Sequence, residues 1–147
     1  MVAGYSGTPL VKKLGLKAGM RAHLAGTPPA VLKELGQVVR EVTQAPKGDL
    51  DFAILFSLKA IEFKRRFAAF EKRIVDNGMI WVAWPKKAAK VETDMDFDVV
   101  QKTGLAGRMV DVKVCAIDDT WSGLKFVVRK ENRATENQTR RREKVRR

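Results

Sequence analysis

The apolar pattern of the chain changes period several times, and each change marks an element. Residues 52–56, Phe-Ala-Ile-Leu-Phe, are continuously apolar behind Asp51. A strand buried on both faces reads this way, so 51–56 is expected to be a central parallel strand. Residues 79–84, Met-Ile-Trp-Val-Ala-Trp, repeat the pattern and stop at Pro85. Between the two, Phe63, Phe67, Phe70 and Ile74 recur at spacings of four, three and four. That stripe predicts a helix over 59–75, with Asp76-Asn77-Gly78 turning the chain into the next strand.

The remaining elements are shorter. Thr8 is expected to cap a helix that opens with Pro9 and closes at Gly15. Residues 20–25 read as a strand. Thr27-Pro28-Pro29 starts a second helix that Gly36 stops, and 38–43 reads as another strand. A helix is expected over 96–103, with Phe97 and Val100 inward and Gly104 or Gly107 closing it. Residues 110–116 alternate with period two, 124–128 do so in part, and the polar segment 118–123 joins them as an antiparallel hairpin.

Strands alternating with helices, then a terminal hairpin, predict an α/β three-layer sandwich of the Rossmann type. The expected strand order is 38–43, 20–25, 51–56, 79–84, 124–128, 110–116, mostly parallel, with 124–128 antiparallel. This is the class I methyltransferase-like arrangement, one strand-helix unit short.

Composition narrows the chemistry. A chain of 147 residues with 45% hydrophobic content suits one domain, expected over 1–130. One cysteine, Cys115, and one histidine, His23, exclude an intrachain disulfide and multi-Cys or multi-His metal sites. No secretion signal and no apolar run of membrane-spanning length are evident, so the expected location is the cytoplasm and no membrane partner is expected. The net charge is +12, and residues 129–147 carry nine Lys/Arg against three Glu. Residues 131–147 therefore read as a basic tail with little to bury. Its Arg140, Arg141, Arg142, Lys144, Arg146 and Arg147 suit phosphates, so nucleic acid or another acidic partner is expected there.

Two resemblances bear on function. Lys17-Ala18-Gly19-Met20-Arg21-Ala22-His23-Leu24-Ala25-Gly26-Thr27-Pro28 resembles the first motif of S-adenosylmethionine (SAM)-dependent methyltransferases: strand, acidic residue, Gly-x-Gly-x-Gly. Gly26 takes the first glycine position, the second and third fall on Pro28 and Ala30, and the acidic position falls on Leu24. Only Gly26 carries over, and Pro28, which adds a ring and removes an N–H, predicts that this loop does not hold SAM. Glu41, at the end of the 38–43 strand, is the carboxylate placed to meet a ribose. The second resemblance covers most of residues 4–128. Gly4-Tyr5-Ser6-Gly7-Thr8-Pro9-Leu10, Trp81-Val82-Ala83-Trp84-Pro85-Lys86-Lys87, Val110-Asp111-Val112-Lys113-Val114-Cys115-Ala116 and Thr120-Trp121-Ser122-Gly123-Leu124-Lys125-Phe126 are similar to the hallmark segments of a small bacterial family of unknown function. It implies a single-domain bacterial cytoplasmic protein and no particular activity.

In an open α/β sheet, ligands bind beyond the carboxyl ends of the parallel strands. Topology sends Gly26, Thr27, Ser57, Trp84, Lys86 and Lys87 to that edge, with Trp121 and Ser122 returning to it. Lysines beside an indole suit an anion attached to a flat group, such as a nucleotide; Lys90 is close in sequence. Residues 4–9 would fold over this edge as a lid, offer N–H groups to an anion, or serve as an arm covering an apolar patch. Asp94, Asp96 and Asp98 have calcium-loop spacing, but Val99 and Leu105 stand where Gly and Glu are needed, so one of the first two is expected to cap the next helix. Asp118 and Asp119 suit the hairpin turn better than an acid/base pair. His23 and Cys115 read as packed residues, and Trp81 as core. No catalytic set emerges. The favoured reading is a non-catalytic protein holding a small anionic or nucleotide-like ligand. The alternatives are a nucleic-acid-binding protein acting through its tail and a divergent SAM-dependent methyltransferase.

Overall fold

The computed structural model describes residues 8–38 and 48–133. Helix α1 (Leu10–Leu14) leads to β1 (Ala22–Ala25), α2 (Pro29–Gly36), β2 (Leu50–Phe56) and α3 (Ala60–Glu71). Then come β3 (Ile74–Pro85), α4 (Phe97–Leu105), β4 (Met109–Ala116) and β5 (Trp121–Val128). The described strands form one sheet in the order β1-β2-β3-β5-β4. β1, β2 and β3 are parallel, and β5 runs antiparallel to both β3 and β4. This is the expected order for the strands described. The 38–43 strand, apart from Val38, lies outside the described residues, as do Glu41, residues 4–7 and the tail from 134 onward. Val38 itself stands in a turn, its N–H donating to Leu35 O at 3.1 Å.

The continuous apolar runs are buried on both faces. In β3, Ile80, Val82 and Trp84 join the core beneath α3 and α4, while Met79, Trp81 and Ala83 join the core beneath α1 and α2. The sheet is thus the middle of three layers, as a two-sided apolar strand requires. Burying the Trp81 indole leaves one polar atom to satisfy, and its Nε1–H donates to Leu14 O at 2.9 Å.

Several boundaries differ from the sequence expectation. Helix α3 ends at Glu71 rather than 75, and Ile74 is the first residue of β3. Residues 76–78 lie within that strand. They form an irregularity, since Leu50 pairs with Ile74 but Phe52 with Met79. Ile74 is buried in either geometry, so apolar periodicity alone does not separate the two. Thr8 does not cap α1; Pro9 occupies the cap position, while Gly15 closes the helix in the left-handed conformation as expected. Gly104 lies inside α4, where a Cβ would run into the Phe126 ring, and Phe97 is exposed rather than inward. In β4 the period-two pattern breaks at a bulge between Asp111 and Lys113, and Val112 and Val114 are exposed. Among the described residues no helix is long and apolar enough to cross a membrane.

Candidate functional site

The parallel strands end at one edge, and β5 starts there. Trp121 pairs with Pro85 and Ser122 with Trp84, and the Lys86 N–H donates to Thr120 O at 2.8 Å. Asp118 holds this hairpin turn, its Oδ1 accepting the N–H groups of Thr120 and Trp121 at 2.8 Å each. That is the turn role expected of it.

β1 leaves the sheet through Gly26, at φ +63°. A Cβ there would stand 2.5 Å from Phe56 O, a backbone atom that cannot swing away. Thr27 follows with its Oγ1 buried and without a hydrogen-bond partner. Buried hydroxyls are rarely left so, and one at a sheet edge is a candidate ligand contact. Pro28 caps α2 and Pro29 is its first residue, so two N–H donors are missing where this helix opens.

Ser57 is buried. Its N–H reaches Ala83 O at 3.1 Å, and its hydroxyl donates to Lys59 O at 3.0 Å and accepts the Lys59 N–H at 3.3 Å. The hydroxyl therefore closes the turn into α3. Trp84 is only 6% exposed and packs in the core, edge-on to Phe97 at 6.3 Å between ring centroids. Trp121 is half-buried and meets Phe56 edge-on at 5.1 Å. Gly26, Phe56 and Trp121 thus form one continuous contact across the sheet edge.

Lys86 and Lys87 line a different region. With Pro85, Val91, Thr93, Asp94, Met95 and Asp96 they bound a cleft of about 340 Å³. A second cleft, of about 540 Å³, lies between Leu58, Lys59 and Ile61 on one side and Glu92, Thr93 and Asp94 on the other. Lys90 ends the short turn Lys87–Ala89 at φ 54° and lines neither cleft.

The segment shared by the two clefts is pinned by long-range bonds. Thr93 Oγ1 donates to Leu58 O at 2.6 Å, and Asp94 Oδ1 accepts the Ala60 N–H at 2.7 Å. Asp96 caps α4 as expected, accepting the Val99 N–H at 2.8 Å. Asp94 instead serves the N-terminus of the preceding helix, α3, whose own cap residue Lys59 offers no side-chain bond. Nothing in the local sequence signals this, because the partners are 34 residues apart.

His23 is buried edge-on to Phe70 at 5.3 Å. Burial pushes the Cys115 thiol up, against the smaller opposing pull of Lys13 and Lys113; both residues are packed, as expected. Among the described residues no group of three or more His, Cys, Asp or Glu side chains comes together as a metal site. Arg140, Arg141, Arg142, Lys144, Arg146 and Arg147 lie outside the described residues.

No protein-family model and no curated protein matches this chain. Solved structures do. A ribosomal-protein methylase from Lactobacillus delbrueckii subsp. bulgaricus matches at TM-score 0.54 and 6% identity, covering 82% of this chain and 75% of its own. Magnesium protoporphyrin IX methyltransferase from Synechocystis PCC 6803, solved with bound SAM, matches at 0.53 and 10%, covering 82% and 74%. A B. subtilis tRNA methyltransferase matches at 0.50 and 8%, covering 86% and 68%. At such identities the likeness speaks of fold alone: the chain has the α/β Rossmann-like fold of the class I methyltransferases.

Proposed function

We propose that this chain is a divergent SAM-dependent methyltransferase that holds its cofactor at the carboxyl edge of β1 and β2. The observation that carries the reading is the turn after β1. Gly26 keeps the left-handed conformation and is exposed, and the Thr27 hydroxyl beside it is buried without a partner. These residues fit a nucleoside-bearing cofactor through the Gly26 backbone and the Thr27 hydroxyl. Pro28 and Pro29 move recognition away from the start of α2, and the proposal departs from the sequence expectation that the loop after β1 does not hold SAM. SAM, when bound, supplies an electrophilic methyl group. Lys86 and Lys87 share their cleft with Asp94 and Asp96, so its charges balance and it suits a polar substrate.

A second reading, a non-catalytic protein holding a nucleotide-like anion, draws on one observation. Asp94, Asp96 and Asp118 each commit one carboxylate oxygen to backbone N–H groups, as helix caps and a turn, so each has a structural role that a reacting group would have to share.

Calorimetry with SAM, S-adenosylhomocysteine and ATP separates the two. The first reading expects SAM and S-adenosylhomocysteine to bind and Thr27→Val to weaken both, by about 10-fold for one lost hydrogen bond. ATP binding without SAM binding supports the second reading. No binding by any of the three sinks both.

A further inference from the structure

We propose that the solvent face of α3 is a docking surface for the phosphate backbone of duplex nucleic acid. The proposal stands apart from the methyltransferase reading, because it rests on another face of the molecule.

Helix α3 turns Phe63, Phe67 and Phe70 into the core and presents Ile61, Glu62, Lys64, Arg65, Ala68 and Ala69 to solvent, with exposed Lys72 and Arg73 just beyond its end, so one exposed carboxylate in its first turn stands against four cations. The cations form two pairs eight residues apart, and Lys64 stands about 12 Å along the helix axis from Lys72, the C-cap, at 1.5 Å per residue. About 12 Å of duplex axis carries about seven phosphate charges. The two alanines between the pairs leave a low saddle, so a backbone can approach without displacing long side chains.

None of these four cations pairs with an acidic residue among those described. The helix dipole accounts for Lys72 and Arg73, which stand at its negative end. It does not account for Lys64 and Arg65, which stand in the half nearer the positive end. Glu71, on the same helix, is half-buried and accepts the Arg108 N–H at 3.4 Å. A membrane surface would favour large apolar side chains among the cations. Here alanines lie between them, and the exposed apolar residues Leu58 and Ile61 stand at one end only.

The test is a salt titration of duplex binding by fluorescence anisotropy with the full chain, on two duplexes of unrelated sequence. The K64Q/R65Q/K72Q/R73Q variant should lose about 3.6 from the log–log salt slope, roughly 0.9 for each phosphate contact. K12Q/K17Q/K33Q, which removes exposed cations from the opposite layer, should leave the slope unchanged. Far-UV circular dichroism checks folding. If the quadruple variant misfolds, R65Q and K72Q are read singly, each lowering the slope by about 0.9. An unchanged slope in the α3 variants moves the contact elsewhere, the basic tail included, and overturns the proposal. So do equal losses in the control, no wild-type binding at low salt, or binding to phosphatidylglycerol vesicles without duplex binding.

Discussion

Gly26 lies against the end of the neighbouring strand so closely that a methyl group on its Cα would stand 2.5 Å from the Phe56 carbonyl oxygen. One residue thereby couples the turn after β1 to the end of β2, the two chain segments between which the proposed cofactor lies. The glycine has a packing reason as well as a ligand reason. Gly26→Ala should lower stability by about 1–3 kcal/mol, through a positive φ and a clash with backbone. Urea unfolding measures it, and an unchanged midpoint would show that β2 can move aside.

Acid should act on the far end of the same strand pair. Asp51 receives Arg21 Nε at 2.9 Å and the Arg21 backbone N–H at 2.8 Å. The Arg21 hydrogen bond holds the Asp51 carboxyl below its ordinary range, against an opposing push from burial. A carboxyl lowered in the folded state stabilises above its unfolded pKa, about 3.9, and loses that contribution as pH falls through the folded value. Asp51→Asn should therefore flatten the loss of stability below about pH 4 and change little of its pH dependence at neutrality. Urea midpoints across that range check this; parallel curves for the two proteins would refute it.

Trp81 joins the sheet to the α1 layer through the bond from its indole to Leu14 O. Trp81→Phe leaves that buried carbonyl unpaired and should cost about 1–3 kcal/mol. Denaturant unfolding followed by circular dichroism gives the value.

Asp94 caps α3 from a distant loop, so its removal should loosen both. Asp94→Ala should cost about 1 kcal/mol. It should also speed amide exchange at Ala60, with that at Val99 unchanged because Asp96 caps α4 independently. Equal exchange at Ala60 in the two proteins would count against the cap.

The β2 and β3 strands were legible in the sequence because a strand covered on both faces has no polar position to confuse its reading. The Phe stripe of α3, the left-handed Gly15, the capping role of Asp96 and the Asp118 turn were legible for a related reason: each is decided within a few residues. Other features were decided only in three dimensions. Ile74 suits the last turn of a helix or the first residue of a buried strand, and pairing with Leu50 chose the strand. Gly104 looks like a helix stop, yet it lies within α4 because Phe126 needs the space a side chain would fill. At the site, chain topology brings Gly26, Ser57 and Lys86 to one edge, as the strand order requires. Whether each side chain is free there depended on neighbours far along the chain. Trp84 went into the core, Ser57 was spent on Lys59, and Asp94 was committed to α3, whereas Thr27 was left with a buried hydroxyl and no partner. Local chemistry determines which groups a strand delivers to an edge; long-range packing determines which of them remain for a ligand.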